Sequence, residues 1–152
     1  MIWDIQNKTS LFEALEAEMQ DCDYVPILMA WSFKTDTETF TFNDLLNISH
    51  FANSLSHPKP VRGTIKPSNF NTATNTINES LSLVKPGAVP EISQDKKIIE
   101  RRLATFWGIV SEFISINKPP KVYEYLPEYN TCFYLGTWWD CVYIFIADNK
   151  GF

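Results

Sequence analysis

Bond-making chemistry has few places to start in this chain of 152 residues, which holds two histidines and three cysteines. A nucleophilic site needs a serine or cysteine, a base, and an acid that orients the base. Only His50 and His57 can supply the base. The pattern puts His50 on the polar face of a helix and His57 directly before Pro58, both solvated positions. No serine lies in a G-x-S-x-G turn, and Cys22, Cys132 and Cys141 form no C-x-x-C pair. Two histidines seven apart match no zinc, calcium or di-iron spacing. Five glycines, none in a phosphate-cradling loop, offer no nucleotide site. The expectation is a protein that is not an enzyme and carries no cofactor and no metal. His50, Asp140 and Cys141 would be the first residues of the alternative, a small enzyme whose site is assembled from scattered side chains. A subunit or adaptor of a larger assembly, phage components included, is a third reading.

Charge is more informative. The net charge is −5, but residues 1–57 carry −7, residues 58–121 carry +5 and residues 122–152 carry −3. Five carboxylates without a base fall between Glu13 and Asp23: Glu13, Glu16, Glu18, Asp21 and Asp23. Carboxylates held on a rigid helix steer a cationic partner strongly. Trp138-Trp139-Asp140 is the second candidate contact region: in a strand the two tryptophans face opposite ways, one for the core and one for a partner. The basic middle (Lys59, Arg62, Lys66, Lys96, Lys97, Arg101, Arg102) speaks weakly for nucleic acid, because the whole chain is acidic. Arg102 projects within an apolar arc, where it either snorkels or pairs with an acid from the N-terminal half.

The elements that must position these residues follow from periodicity. Ser10 and Glu13 read as a capping box opening a helix over about residues 10–21, with Leu11, Phe12, Leu15 and Met19 in one arc. Residues 24–33 read as a strand with Pro26 near its start, residues 34–37 as a turn, and residues 39–42 as a short returning strand. A second amphipathic helix covers about 43–56, with Leu45, Ile48, Phe51, Ala52 and Leu55 inward and Leu46 and His50 outward. From about 57 to 80, Pro, Gly, Asn and Thr predict an irregular loop region, followed by a short helix over residues 77–84. A long central helix spans about 93–117, stopped before Pro119-Pro120 and packed on a sheet. Strands are expected at 122–125, 131–135 and 138–147, the last apolar enough to be covered on both faces, with a turn at 148–151. Helices and strands do not alternate, so the fold class is α+β: an antiparallel or mixed sheet against the long helix and two shorter ones, in a single domain over residues 1–152.

No basic segment leading into an apolar stretch opens the sequence, and no apolar run approaches the ~18 residues of a spanning helix. With no disulfide framework either, the expected compartment is the cytoplasm, and the glycosylation patterns at Asn7, Asn47 and Asn78 are expected to be idle. In overall character, from the acidic run Glu13–Asp23 and the aromatic segment Leu135–Cys141, the chain resembles the immunity proteins that bacteria make against their own polymorphic or contact-dependent toxins. The resemblance covers no defining motif, so no family residues carry over. It implies tight binding to one toxin domain, such as a nuclease with a basic active site, and neutralisation by occlusion.

Overall fold

The computed structural model describes residues 3–20, 22, 28–36, 40–56, 63–82, 93–127 and 141–152. They form an α+β fold: β1 (Trp3–Asn7), α1 (Glu13–Glu18), β2 (Trp31–Thr35), α2 (Phe42–Ser56), β3 (Gly63–Pro67), α3 (Phe70–Leu81), α4 (Ser93–Ser111), β4 (Lys121–Pro127), β5 (Tyr143–Ala147) and β6 (Lys150–Gly151). The strands make one antiparallel sheet in the order β1-β2-β6-β5-β4-β3. Ile144, Phe145 and Ile146 of β5 are all buried, as the apolar run predicts for a strand covered on both faces.

One face lies under α2. Thr41 and Asp44 close a reciprocal cap there: the Thr41 N–H donates to the Asp44 carboxylate (2.8 Å), and the Asp44 N–H donates to Thr41 Oγ1 (3.2 Å). The helix then lays Leu45 and Ile48 onto Phe33, Phe40, Ile65, Tyr125, Ile144 and Ile146. Each fully buried aliphatic side chain contributes about 1.5–3 kcal/mol. Phe51, expected inward, is exposed, whereas Leu46, expected outward, packs against this cluster. Ala52 and Leu55 lie outside the described side chains. Gly151 pairs with Phe33, whose ring occupies the space a Cβ would need. The two-residue turn Asp148-Asn149 joins β5 to β6, with Asp148 in the left-handed region (φ 55°). Asn149 fastens this turn to β2: its carbonyl accepts from Thr35 N–H (3.0 Å) and its amide donates to Thr35 O (3.2 Å).

The other face carries α3 and the end of α4. Phe70, Ala73 and Ile77 of α3 pack with Trp107, Phe113, Ile114, Val122 and Phe145. A third cluster ties α1 to α4 through Phe12, Leu15, Met19, Leu81, Leu103, Phe106 and Val110.

Several expectations are corrected. The segment expected to be irregular contains β3 and α3. The Asn69 side chain caps α3 by accepting the Thr72 N–H (2.8 Å). Its Asn- and Thr-rich sequence has poor intrinsic helix propensity. The helix forms because Phe70, Ala73, Ile77 and Leu81 fall within one arc that the sheet and α4 cover. The long helix ends at Ser111, not 117. Glu112 and Phe113 donate to the carbonyls three residues back, tightening the chain. That turn drives Ile114 into the sheet cluster and sets Phe113 stacked on Phe152 (centroids 5.0 Å). The first helix is a 3-10 turn, Thr9–Phe12, followed by α1. The Ser10–Glu13 box does not form, since Ser10 lies inside the 3-10 turn and Phe12 stands at the cap of α1. The turn is entered instead through Asn7 Oδ1, which accepts the Thr9 N–H, and Thr9 Oγ1, which accepts the Ala30 N–H. No strand runs through residues 40–42, because Phe42 opens α2, and β2 starts at Trp31 and takes in Lys34 and Thr35 of the expected turn. The expected strands at 131–135 and 138–140 lie outside the described residues.

Candidate interaction surface

α1 is anchored on one side only. Phe12, Leu15 and Met19 are buried in the α1–α4 cluster, leaving Glu13, Ala14, Ala17, Glu18 and Gln20 exposed. The three described carboxylates of the acidic run do different work. Glu16 is half-buried, and its Oε2 accepts the Leu28 N–H (3.4 Å), tying the following segment to the helix. Glu18 leans toward α4, 4.0 Å from the exposed Arg101 guanidinium. An exposed pair at that distance contributes little. Glu13 stands in solvent with no ion pair among the described residues. At about 100° per residue, Glu13 and Glu16 lie on neighbouring sides of α1 and Glu18 on the far side, so the charge spreads around the helix instead of presenting one flat acidic face. Asp21 and Asp23 lie outside the described residues, as do Trp138, Trp139 and Asp140.

Two apolar side chains that sequence reasoning missed belong to the same region. Leu11 and Met29 are 43% and 41% exposed. They flank the point where Thr9 and Ala30 exchange hydrogen bonds through the Thr9 hydroxyl (3.1 and 3.4 Å). Helical periodicity puts Leu11 with Phe12, Leu15 and Met19 in one arc. The 3-10 turn, at three residues per turn, swings it out of that arc. No feature of periodicity gives Met29 away.

Residues considered for chemistry end up apart. His50 is not a solvated side chain: it is half-buried, 3.2 Å from Gly63 O, and edge-on to Tyr125 (centroids 5.8 Å). A carbonyl only accepts, so Nε2 carries the proton. Cys141 lies instead near Tyr143, which packs on the opposite face of the sheet from Tyr125. A polar row crosses that face. Register sets Lys66 opposite Glu124 and Glu124 opposite Tyr143, and Lys66 Nζ lies 3.4 Å from Glu124. Burial pushes the Tyr143 hydroxyl above its ordinary pKa of 10.0, partly offset by a hydrogen bond from Thr76. A tyrosine shifted this way keeps its proton at neutral pH and is no base. Arg102 does not snorkel. It is 4% exposed, and Nη1 donates to Leu81 O (2.7 Å) at the end of α3, where a cation suits the helix dipole. Trp107 Nε1–H donates to Asn78 Oδ1 (2.7 Å), locking α3 to α4.

Compared with known proteins, the chain matches no protein-family model, no curated protein and no solved structure. Among the described residues, no three His, Cys, Asp or Glu side chains gather where they would hold a metal ion. No helix among them is long and apolar enough to cross a membrane.

Proposed function

We propose that the protein is a binding inhibitor of the immunity type, which neutralises a basic toxin domain by occupying its active site. One observation supports this reading above the others: exposed apolar side chains, Leu11 and Met29, stand on the segments bordering a rigidly anchored helix that presents Glu13 and Glu18. Apolar anchors within a charged surround are how tight interfaces combine affinity with specificity, because carboxylates speed encounter while the anchors slow release. Asp21, Asp23, Trp138, Trp139 and Asp140 extend the proposed contact set. The cytoplasm is the compartment in which such an inhibitor guards its own cell.

The test uses the product of the neighbouring gene as partner and measures association by stopped flow. Reversing Glu13, Glu18 and Asp21 to lysine is expected to slow association at least tenfold at low salt and to flatten its salt dependence. Glu16 is left intact because it holds the Leu28 amide. An unchanged on-rate and salt slope would refute the electrostatic part of the reading. Absence of any complex with the neighbouring product would count against the immunity reading itself.

A further inference from the structure

The two edges of the sheet are finished differently, and the hydrogen-bond parity of β1 shows what its open edge fits. Lys8 donates its N–H to Ala30 O (2.8 Å) in continuation of the register that sets Asn7 opposite Trp31. Antiparallel pairs alternate between bonded and non-bonded. Gln6–Ser32 and Asp4–Lys34 are therefore the bonded pairs, and Trp3, Ile5 and Asn7 turn their N–H and C=O groups away from β2. The far side of β2 agrees, since Thr35 donates to Asn149 O toward β6. At the other edge, the bond from Ser68 N–H to Val122 O leaves Gly63, Ile65 and Pro67 of β3 facing outward. That edge is blunted: His50 donates to the Gly63 carbonyl, and Pro67 has no N–H to offer. β1 has neither device. Among the described residues, no hydrogen bond reaches the outward N–H and C=O of Ile5.

We propose that β1 pairs antiparallel with β1 of a second copy, about a twofold axis through Ile5, to join two sheets into one. This register uses all five residues of the strand, setting Ile5 against Ile5, Trp3 against Asn7 and Asp4 against Gln6. Sliding the partner two residues one way brings the Asp4 side chains of the two protomers together; sliding it the other way pairs Trp3 with Thr9, beyond the strand. The centred register stays within the strand and keeps the Asp4 side chains, each already beside Lys34 of its own sheet, away from one another. The second slide, although it sets Asp4 opposite Lys8, runs past the strand's end. A twofold contact of one patch with itself is the commonest way for identical chains to associate.

Sedimentation velocity from micromolar to millimolar concentration reads the outcome. The unaltered protein is expected to pass reversibly from monomer to dimer. Ile5→Pro removes the central outward N–H and is expected to stay monomeric, at some cost in stability because Ile5 also packs against the α2 cluster. Gln6 is exposed, and its single described side-chain contact is a long hydrogen bond to Asp4 of its own strand (3.5 Å), so its variants perturb the fold little. Gln6→Asp sets an acid opposite each Asp4 and is expected to weaken the dimer about tenfold, and Gln6→Lys to strengthen it by a similar factor. A protein monomeric at every concentration overturns the proposal. So does a dimer indifferent to all three substitutions, since it would form through another surface.

Discussion

The two faces of the sheet are built on different terms. Under α2 the contacts are mostly apolar: Leu45 and Ile48 meet Phe33, Phe40, Ile65, Tyr125, Ile144 and Ile146. Among the described residues, a single polar fit joins this helix to the sheet, His50 to Gly63 O at the β3 edge. The buried Ser49 on that helix donates to Leu45 O of its own helix (2.7 Å). On the other face the helices are positioned by polar fits inside the apolar contact: Asn78 with Trp107, Leu81 O with Arg102, and Thr76 with Tyr143. Both kinds of core hold, but they fail differently. An apolar core tolerates changes of shape at a graded cost, whereas a polar fit fixes one arrangement and punishes the loss of a partner. The helix offered as the binding surface belongs to this second, polar side, joined to it through α4.

Leu45→Ala should have the largest effect, lowering unfolding free energy by about 3 kcal/mol in urea denaturation. It should leave the on-rate for the partner untouched. A loss under 1 kcal/mol would mean that α2 does not carry that face. Next, Gly151→Ala forces a methyl into the Phe33 ring and should cost about 2 kcal/mol by the same measurement. On the polar side, a Cβ at Gly108 of α4 meets nothing within 4 Å. Gly108→Ala should therefore raise stability by about 0.5–1 kcal/mol, seen as a higher melting temperature. The smallest effect concerns pH. Because burial raises the Tyr143 pKa, its ionisation is deferred in the folded state, and the unfolded chain loses that proton first. The contribution is complete below pH 10 and declines as pH rises from there through the folded value. Tyr143→Phe should flatten this decline in denaturation midpoints recorded from neutral pH into the alkaline range.

The contrast between the faces also explains what was legible in the sequence. The sheet's central strand announced itself through the unbroken run Tyr143–Ala147, and α2 through the spacing of Leu45 and Ile48. Apolar periodicity encodes apolar packing directly. α3 was hidden, because Asn71, Thr72, Thr74, Asn75, Thr76 and Asn78 read as loop chemistry until Trp107 and the sheet stand beside them. The early end of α4 was hidden for a related reason: Ile114 and Ile116 continue the helical period in sequence, while in space Ile114 joins the sheet cluster and Ile116 the α1 cluster. At the proposed surface, the acidic residues were evident from their types. That Glu16 serves the Leu28 amide, Glu18 leans to Arg101, and Leu11 is exposed depends on a 3-10 turn and on contacts that no local pattern encodes.

The association rate with the neighbouring gene product, measured for Glu13→Lys alone across a range of salt, bears most directly on the binding role. Within the acidic run Glu13 is the described carboxylate with neither an ion pair nor a packing duty. A single reversal should therefore slow association severalfold at low salt, with the difference fading as salt rises. It should lower the melting temperature only slightly, through its place in the first turn of α1. Rates that coincide with the unaltered protein at every salt concentration would contradict the claim that this acidic surface is where a partner arrives.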